Sequence, residues 1–309
     1  MATRPARAAE GFPRLPRAMT PGRPSEQQTA VLLVSCPDRR GIVAALAQVL
    51  HGHGANILDA DQHTDPVAGQ FFQRIRFDLT ELLTDRVSLE RGIREVAVRF
   101  AMRFQLAYAT ERKRVAIFVS RYEHCLVDLL WRHRAGELPC EIALIVSNHP
   151  DLRATADHLG VPFEVFEITQ QNKAAQEARE LALLEQARID LVVLARYMQV
   201  LSADFIERFP ARIINIHHSF LPAFQGGKPY HQASERGVKL IGATAHYATT
   251  DLDEGPIIEQ DVARATHRDS VEDLVRKGRD LERTVLARAV RWHLEDRILV
   301  YQNKSVVFA

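Results

Sequence analysis

Apolar residues keep two different rhythms along the chain, one before about residue 110 and one after it. In the first stretch, Ala30–Ser35 is a short apolar run that Pro37-Asp38-Arg39-Arg40-Gly41 breaks. Ile42, Val43, Leu46, Val49 and Leu50 then share one face at helical spacing, and Gly54 ends that helix. Ala55–His63 reads as a strand and Pro66 to Gly69 as a turn. Ile75, Phe77 and Leu79 alternate with Arg74, Arg76 and Asp78, the pattern of a strand with one wet face. Leu89, Ile93, Val96 and Phe100 form a second helical stripe, and Met102–Tyr108 a last strand. The order βαββαβ over residues 29–110 predicts a ferredoxin-like unit, of the kind that usually binds a ligand or dimerises.

Glu111 to Arg114 is a short charged linker, and the rhythm then changes. The runs Val115–Val119, Ile142–Val146, Phe163–Phe166 and Leu191–Ala195 are strand-like and separated by helical stretches, the clearest being Lys173–Arg188. Strands separated by helices imply right-handed crossovers and a parallel sheet covered on both faces. Ile213–Ile216, Ile241–Tyr247 and Ile257–Val262 add strands, and Asp269–Glu295 is a long amphipathic helix. The fold class is therefore α/β: a ferredoxin-like βαββαβ domain, then a Rossmann-like domain over 114–309 with a mostly parallel sheet.

Composition narrows the picture further. Forty basic against thirty-nine acidic side chains give a net charge of +1, which excludes a strong global pull toward nucleic acid or an anionic membrane. No apolar run approaches the ~20 residues of a membrane helix. Cys36, Cys125 and Cys140 form no CxxC pair, so neither a disulfide framework nor a zinc cage is expected, and a reducing cytoplasm fits. Residues 1–28 are rich in Pro, Arg, Ala and Gly without an apolar core, which predicts a disordered tail rather than a secretory signal.

Several chemistries are absent. The turn Ser120-Arg121-Tyr122-Glu123-His124 has no glycine to let a backbone close around a pyrophosphate, and there is no Walker A loop, HExxH or GxSxG elbow. Two clusters remain. One is Asn215-Ile216-His217-His218-Ser219-Phe220-Leu221-Pro222, which ends a buried strand. Strand side chains alternate, so Asn215 and His217 point to the same side, at the strand end where parallel sheets bind ligands. The other is the loop from His246 to Pro256, which carries Asp251, Asp253 and Glu254 between two apolar strands. Each alone is also what an ordinary structural histidine or a solvated acidic loop would show. A metal held by His217, His218, His231, His246 and a carboxylate lacks supporting helical His spacing, so no metal is expected.

NIHHSFLP followed by GATAHYATTDLDEGPIIEQD resembles the formyltransferase fold of phosphoribosylglycinamide formyltransferase and its relatives. The longer strings LVVLARYMQVLS, KPYHQASERGVKLIGATAHY and LDEGPIIEQDV resemble the formyltetrahydrofolate deformylases, the hydrolases of that family. CPDRRGIVAALAQVLHGHGANILDADQH resembles an ACT domain, which the hydrolases carry and the simple transferases lack. The resemblance covers residues 29 to 309. It implies catalytic residues Asn215, His217 and Asp253. It also implies an apolar pterin slot walled by Tyr197, Met198, Gln199, Val200 and Leu201 and by the acidic loop with Thr250, Asp251 and Gly255. The implied substrate is 10-formyltetrahydrofolate, hydrolysed to tetrahydrofolate and formate without a cofactor, with the formate feeding purine synthesis. Which of His217 and Asp253 is the first base stays open.

The transferases hold a substrate phosphate on a Gly/Ser/Asn-rich turn after the first strand of this domain. The bulky Ser120–His124 turn departs from that, which favours water over an amine acceptor. The ACT likeness implies a small amino-acid effector at Asp38, Arg39, Gly41 and Asn56, where helix N-terminal N–H groups attract a carboxylate, and a homo-oligomer. The same loop could simply cap its helix. Two rivals stand beside the hydrolase: a formyltransferase to an amine, and a folate or amino-acid sensor without turnover.

Overall fold

The computed structural model describes residues 28–223 and 229–309. The expectations for the tail and for most of the turn Gln225–Pro229 lie outside the described residues. The N-terminal unit runs β1 (Thr29–Pro37), α1 (Ile42–Gly52), β2 (Asn56–Asp65), β3 (Gln70–Asp78), α2 (Arg86–Phe100) and β4 (Arg103–Tyr108), as the apolar rhythm predicts. Its antiparallel sheet has the order β2-β3-β1-β4, the ferredoxin-like arrangement. Leu46 and Leu50 of α1 and Leu89 and Ile93 of α2 pack with Leu32, Ile75 and Phe77 on one face of this sheet. Gln28 already belongs here, since its carbonyl accepts the Leu79 N–H at 2.8 Å.

The other face of β3 is only partly wet: Phe72 and Arg74 are buried, and Arg76 and Asp78 half-buried. Phe72 and Leu33 pack against Phe308 of a C-terminal hairpin, β12 (Ile298–Tyr301) and β13 (Lys304–Val307), which the sequence reading did not anticipate. Arg74 Nε and Nη2 donate to the carbonyls of Asp296 (3.0 Å) and Glu295 (3.2 Å), and Nη1 to Asp59 at 3.2 Å. The alternation that resembles solvent exposure is an interface between the two units, with the guanidinium satisfied by main-chain oxygens.

The second unit carries β5 (Lys113–Val119), α3 (His124–Arg134), β6 (Cys140–Ser147), α4 (Arg153–His158), β7 (Phe163–Val165) and α5 (Lys173–Gln186). It continues with β8 (Leu191–Leu194), α6 (Ala203–Arg208), β9 (Ile213–His217), α7 (Pro229–Glu235), β10 (Leu240–Tyr247), β11 (Ile257–Arg264) and α8 (Val271–Leu294). The seven strands lie in the order β11-β10-β9-β8-β5-β6-β7. The five strands from β7 to β9 are parallel, and β10 and β11 run antiparallel at one edge. α3 and α8 cover one face through Leu126, Leu130, Val285, Leu286 and Val290, and α5 and α6 the other through Leu181, Leu184 and Phe205. Each such side chain contributes ~1.5–3 kcal/mol on burial. α8 opens with a capping box in which Ser270 and Asp273 satisfy each other's N–H groups.

From β5 the chain builds outward through β6 and β7, then returns to β8 on the opposite flank of β5. The carboxyl ends of β5 and β8 therefore flank a topological switch point, where open α/β sheets leave a crevice. The Ser120 hydroxyl bridges it by accepting the Met198 N–H at 3.0 Å while donating to Asn148 Oδ1 at 2.7 Å.

Candidate active site

β9 emerges beside this crevice with Asn215 and His217 on one face. Antiparallel pairing sets His246 of β10 directly opposite Asn215 and Thr244 opposite His217, so all four project to the same side. The Thr244 hydroxyl accepts the Leu221 N–H and donates to the Ser219 carbonyl, pinning the turn that follows His217. The loop between β10 and β11 brings Asp253 back over the strand ends. Asp253 has a left-handed backbone (φ 57), and the loop closes so tightly that a Cβ on Gly255 would overlap the Tyr247 carbonyl oxygen.

Asp253 Oδ2 lies 3.2 Å from His217 Nδ1, and Oδ1 lies 3.6 Å from His246 Nε2. Asn215 Nδ2 is 3.2 Å from His246 Nε2, and His246 Nδ1 is 3.0 Å from the Tyr247 carbonyl. That carbonyl can only accept, so His246 carries its proton on Nδ1 and receives the Asn215 amide on Nε2. One Asn215 N–H is thereby engaged and the other is left for a ligand. His217 donates Nδ1–H to the carboxylate, which leaves Nε2 as its working atom. That Nε2 is buried with no hydrogen-bond partner. Burial alone would raise the Asp253 carboxyl, but the hydrogen bond from His217 outweighs it and holds the group well below the ordinary carboxylate range.

These residues form the floor of a cleft of about 240 Å³. One wall is Tyr197, Met198, Gln199, Val200 and Leu201, and the other includes Thr249, Thr250 and Leu252. The first wall is tethered from α5: Lys173 Nζ donates to the Val200 carbonyl, Tyr197 hydroxyl to Glu180 at 3.2 Å, and Ser202 N–H to Glu177 at 3.2 Å. Burial, the larger effect, pushes the Glu180 carboxyl up to about 7 against the Tyr197 hydrogen bond. Of the residues expected at the slot, Asp251 and Gly255 do not line the cleft. Asp251 is exposed and its carbonyl receives the Thr249 hydroxyl and the Glu254 N–H, and Gly255 shapes the turn. Asp38, Arg39, Gly41 and Asn56 are exposed, the first three in the β1–α1 turn and Asn56 at the start of β2.

Sequence reasoning missed what lies behind the histidines. β9 ends at His217, so His218 continues no strand; its ring packs edge-on against His217 and Tyr230. Burial and then the charge of Arg196 push His218 down to about 4, so it is neutral. Beyond it, buried Glu282 receives the Tyr230 hydroxyl at 2.7 Å, meets His124 Nε2 at 2.8 Å and lies 3.4 Å from Arg196 Nε. Tyr230 reaches Glu282 because Gly278 of α8 leaves it room: a Cβ there would overlap its ring and hydroxyl. From the Ser120–His124 turn, His124 points in to Glu282, while Tyr122 is exposed and lies beside the Arg196 guanidinium. His124, Cys125 and Glu282 also bring possible metal ligands within 4.8 Å of one another. They do not fit an ion: the Glu282 oxygens are already taken by Tyr230, His124 and the Arg196 charge, and burial holds the Cys125 thiol well above its usual range.

The formyl transferase family pattern matches residues 113–290 and the ACT domain pattern residues 30–96. A formyltetrahydrofolate deformylase of Synechocystis sp. is 58% identical over 91% of this chain and 99% of that protein. One from Bacillus subtilis is 52% identical over 93% of this chain and 96% of that protein. The crystal structure of a formyltetrahydrofolate deformylase from Pseudomonas syringae superimposes with a TM-score of 0.89 at 47% identity, covering 91% of this chain and 94% of that one. A glycinamide ribonucleotide transformylase from Symbiobacterium toebii matches with a TM-score of 0.61 at 31% identity, over 64% of this chain and 95% of that one.

Proposed function

The chain belongs to the formyltetrahydrofolate deformylase family, and on that premise we propose that it hydrolyses 10-formyltetrahydrofolate to tetrahydrofolate and formate. The observation that carries the reading is the unpartnered His217 Nε2, buried in a cleft and backed by the Asp253 carboxylate. The formyl group enters over Asn215 and His217, with the pterin between the Tyr197–Leu201 wall and the Thr249–Asp253 loop. A water beside His217 gives its proton to Nε2 as its oxygen bonds to the formyl carbon. The carbonyl oxygen becomes an oxyanion that takes the free Asn215 N–H, a donor worth ~3–4 kcal/mol in the transition state. Asp253 stabilises the imidazolium and fixes its tautomer. The C–N10 bond then breaks, N10 takes the proton from His217, and formic acid ionises to formate. This sequence makes His217 the first base and requires neither metal nor cofactor.

Water rather than an amine is the proposed acceptor because the turn after β5, Ser120-Arg121-Tyr122-Glu123-His124, has no glycine with which its backbone could close around an acceptor's phosphate. The reaction is placed in the cytoplasm, supported by three buried free thiols, and no helix among the described residues is long and apolar enough to cross a membrane. Its formate would serve purine synthesis and balance one-carbon folate pools. The ACT unit is proposed to join copies of the chain and to take a small amino acid near Asp38, Arg39, Gly41 and Asn56. The mostly exposed edge strand β2 offers unpaired main-chain groups for such an assembly.

The test supplies purified protein with 10-formyltetrahydrofolate and no amine. Steady formate release, lost in His217→Ala, is expected. Formyl loss only after an amine is added would make the protein a transferase, and binding without turnover would make it a sensor.

A further inference from the structure

We infer that Arg196 forms a subsite for a one-carbon carboxylate, holding the formate product beside His217; this rests on the hydrolase reading above. Two residues lining the cleft each bury a nitrogen that makes no hydrogen bond, His217 at Nε2 and Arg196 at Nε. The first belongs to the proton transfer, and the second has no assigned task. Arg196 is only 9% exposed, and its guanidinium makes no hydrogen bond among the described residues, although it carries five N–H donors. Its one ionic partner is Glu282, reached at 3.4 Å from Nε and already occupied by His124 and Tyr230. A buried cation with unused donors is costly unless something completes it.

The placement is specific. Arg196 adopts a left-handed backbone (φ 65), which a non-glycine side chain rarely accepts. The Tyr122 ring centroid lies 5.2 Å from its central carbon, within cation–π reach. With Glu282 facing Nε, the two Nη groups, which make no hydrogen bond or ion pair among the described residues, are the donors left for a ligand. A planar fork of donors is complementary to a planar carboxylate with two acceptor oxygens. The neighbouring His218 is neutral, so it adds no competing charge. Hydrolysis converts an uncharged formamide into such an anion at this place: the carbon gains its second oxygen from water, and the proton of formic acid departs to solvent. Arg196 is thus a product-binding residue that becomes engaged only once the C–N10 bond has broken.

The test is titration of the full-length protein, with and without tetrahydrofolate, by 13C-formate followed by NMR, alongside formate inhibition of turnover. Saturable binding is expected in the wild type. Arg196→Met is expected to weaken it at least tenfold and Arg196→Lys to restore part of it, since the charge returns without the fork. Equal formate affinity in the wild type and Arg196→Met, or no saturable binding to about 100 mM, would overturn the subsite. Should Arg196→Met not fold by circular dichroism, Tyr122→Ala decides the matter: it removes the ring beside the guanidinium and is expected to weaken formate several-fold, and an unchanged affinity refutes the proposal. Binding needs no turnover, so the two readings fail separately. A protein that binds formate through Arg196 yet releases none from the folate keeps the subsite and loses the hydrolase. One that hydrolyses without binding formate does the reverse.

Discussion

Replacing Asp253 by Asn isolates the charge on which the proton transfer depends. Asn is nearly the same shape and, unlike Ala, tolerates the left-handed backbone at this position, so the loop keeps its course. What disappears is the attraction between the carboxylate and the imidazolium formed when His217 takes the water's proton. Across 3.2 Å, at an effective dielectric constant of about 20, that attraction is ~5 kcal/mol. The retained amide oxygen recovers part of it through a hydrogen bond, so we expect a transition-state loss of ~4 kcal/mol, about a thousandfold in rate. The loss should appear in kcat, with KM changed little, because the charge matters most after the proton has moved. Initial rates of formate release across 10-formyltetrahydrofolate concentrations read both constants. A loss below tenfold in a folded variant, or one confined to KM, would refute the role given to Asp253.

Four further outcomes are expected. Asn215→Ala removes the oxyanion donor and should lower kcat by about 10²–10³-fold in the same assay, and the His246 Nε2 it leaves without its hydrogen bond should lower the melting temperature by a few degrees. Gly255→Ala forces a Cβ into the Tyr247 carbonyl, so both activity and melting temperature should fall; a variant matching the wild type in both would show that the loop can yield. Arg74→Met strips its donors from the Glu295 and Asp296 carbonyls, at a cost of ~1–3 kcal/mol or about 2–10 °C in a thermal melt. Glu180 has its pKa raised to about 7 in the fold, so its contribution is complete below pH ~4.5 and is lost as pH rises through about 7. Glu180→Gln should remove that decline and gain at most ~3 kcal/mol over the wild type at pH 8, whereas melting curves that run parallel from pH 4.5 to 8 would show that Glu180 is not the cause.

The parts of this protein that read directly from sequence are those whose cause is local. The stripe Leu89, Ile93 and Phe100 and the run Ile213–Ile216 carry their periods with them, and both fold as read. The pair Asn215 and His217 was legible because a strand's alternation alone puts them on one face. The companion His246 stood in plain view at the end of β10, but only the register across to Asn215 gives it a task. β3 misled for a related reason: Arg74 looks solvent-facing until the C-terminal segment covers it, and the carbonyl that satisfies it lies 222 residues away. The Glu282 cluster was invisible likewise. It joins α3, α7, α8 and the end of β8, and none of its members sits in a pattern of its own. The family resemblance implies Asp251 and Gly255 at the slot, whereas neither lines the cleft: Asp251 is exposed and Gly255 packs its backbone against the Tyr247 carbonyl.

The most direct test of the central claim is the fate of oxygen when the protein turns over 10-formyltetrahydrofolate in H₂¹⁸O without any amine. If water attacks the formyl carbon, the released formate carries one ¹⁸O after a single turnover, and His217→Ala releases none above background. Formate that leaves unlabelled, or a formyl group that leaves only when an amine is supplied, would contradict the account.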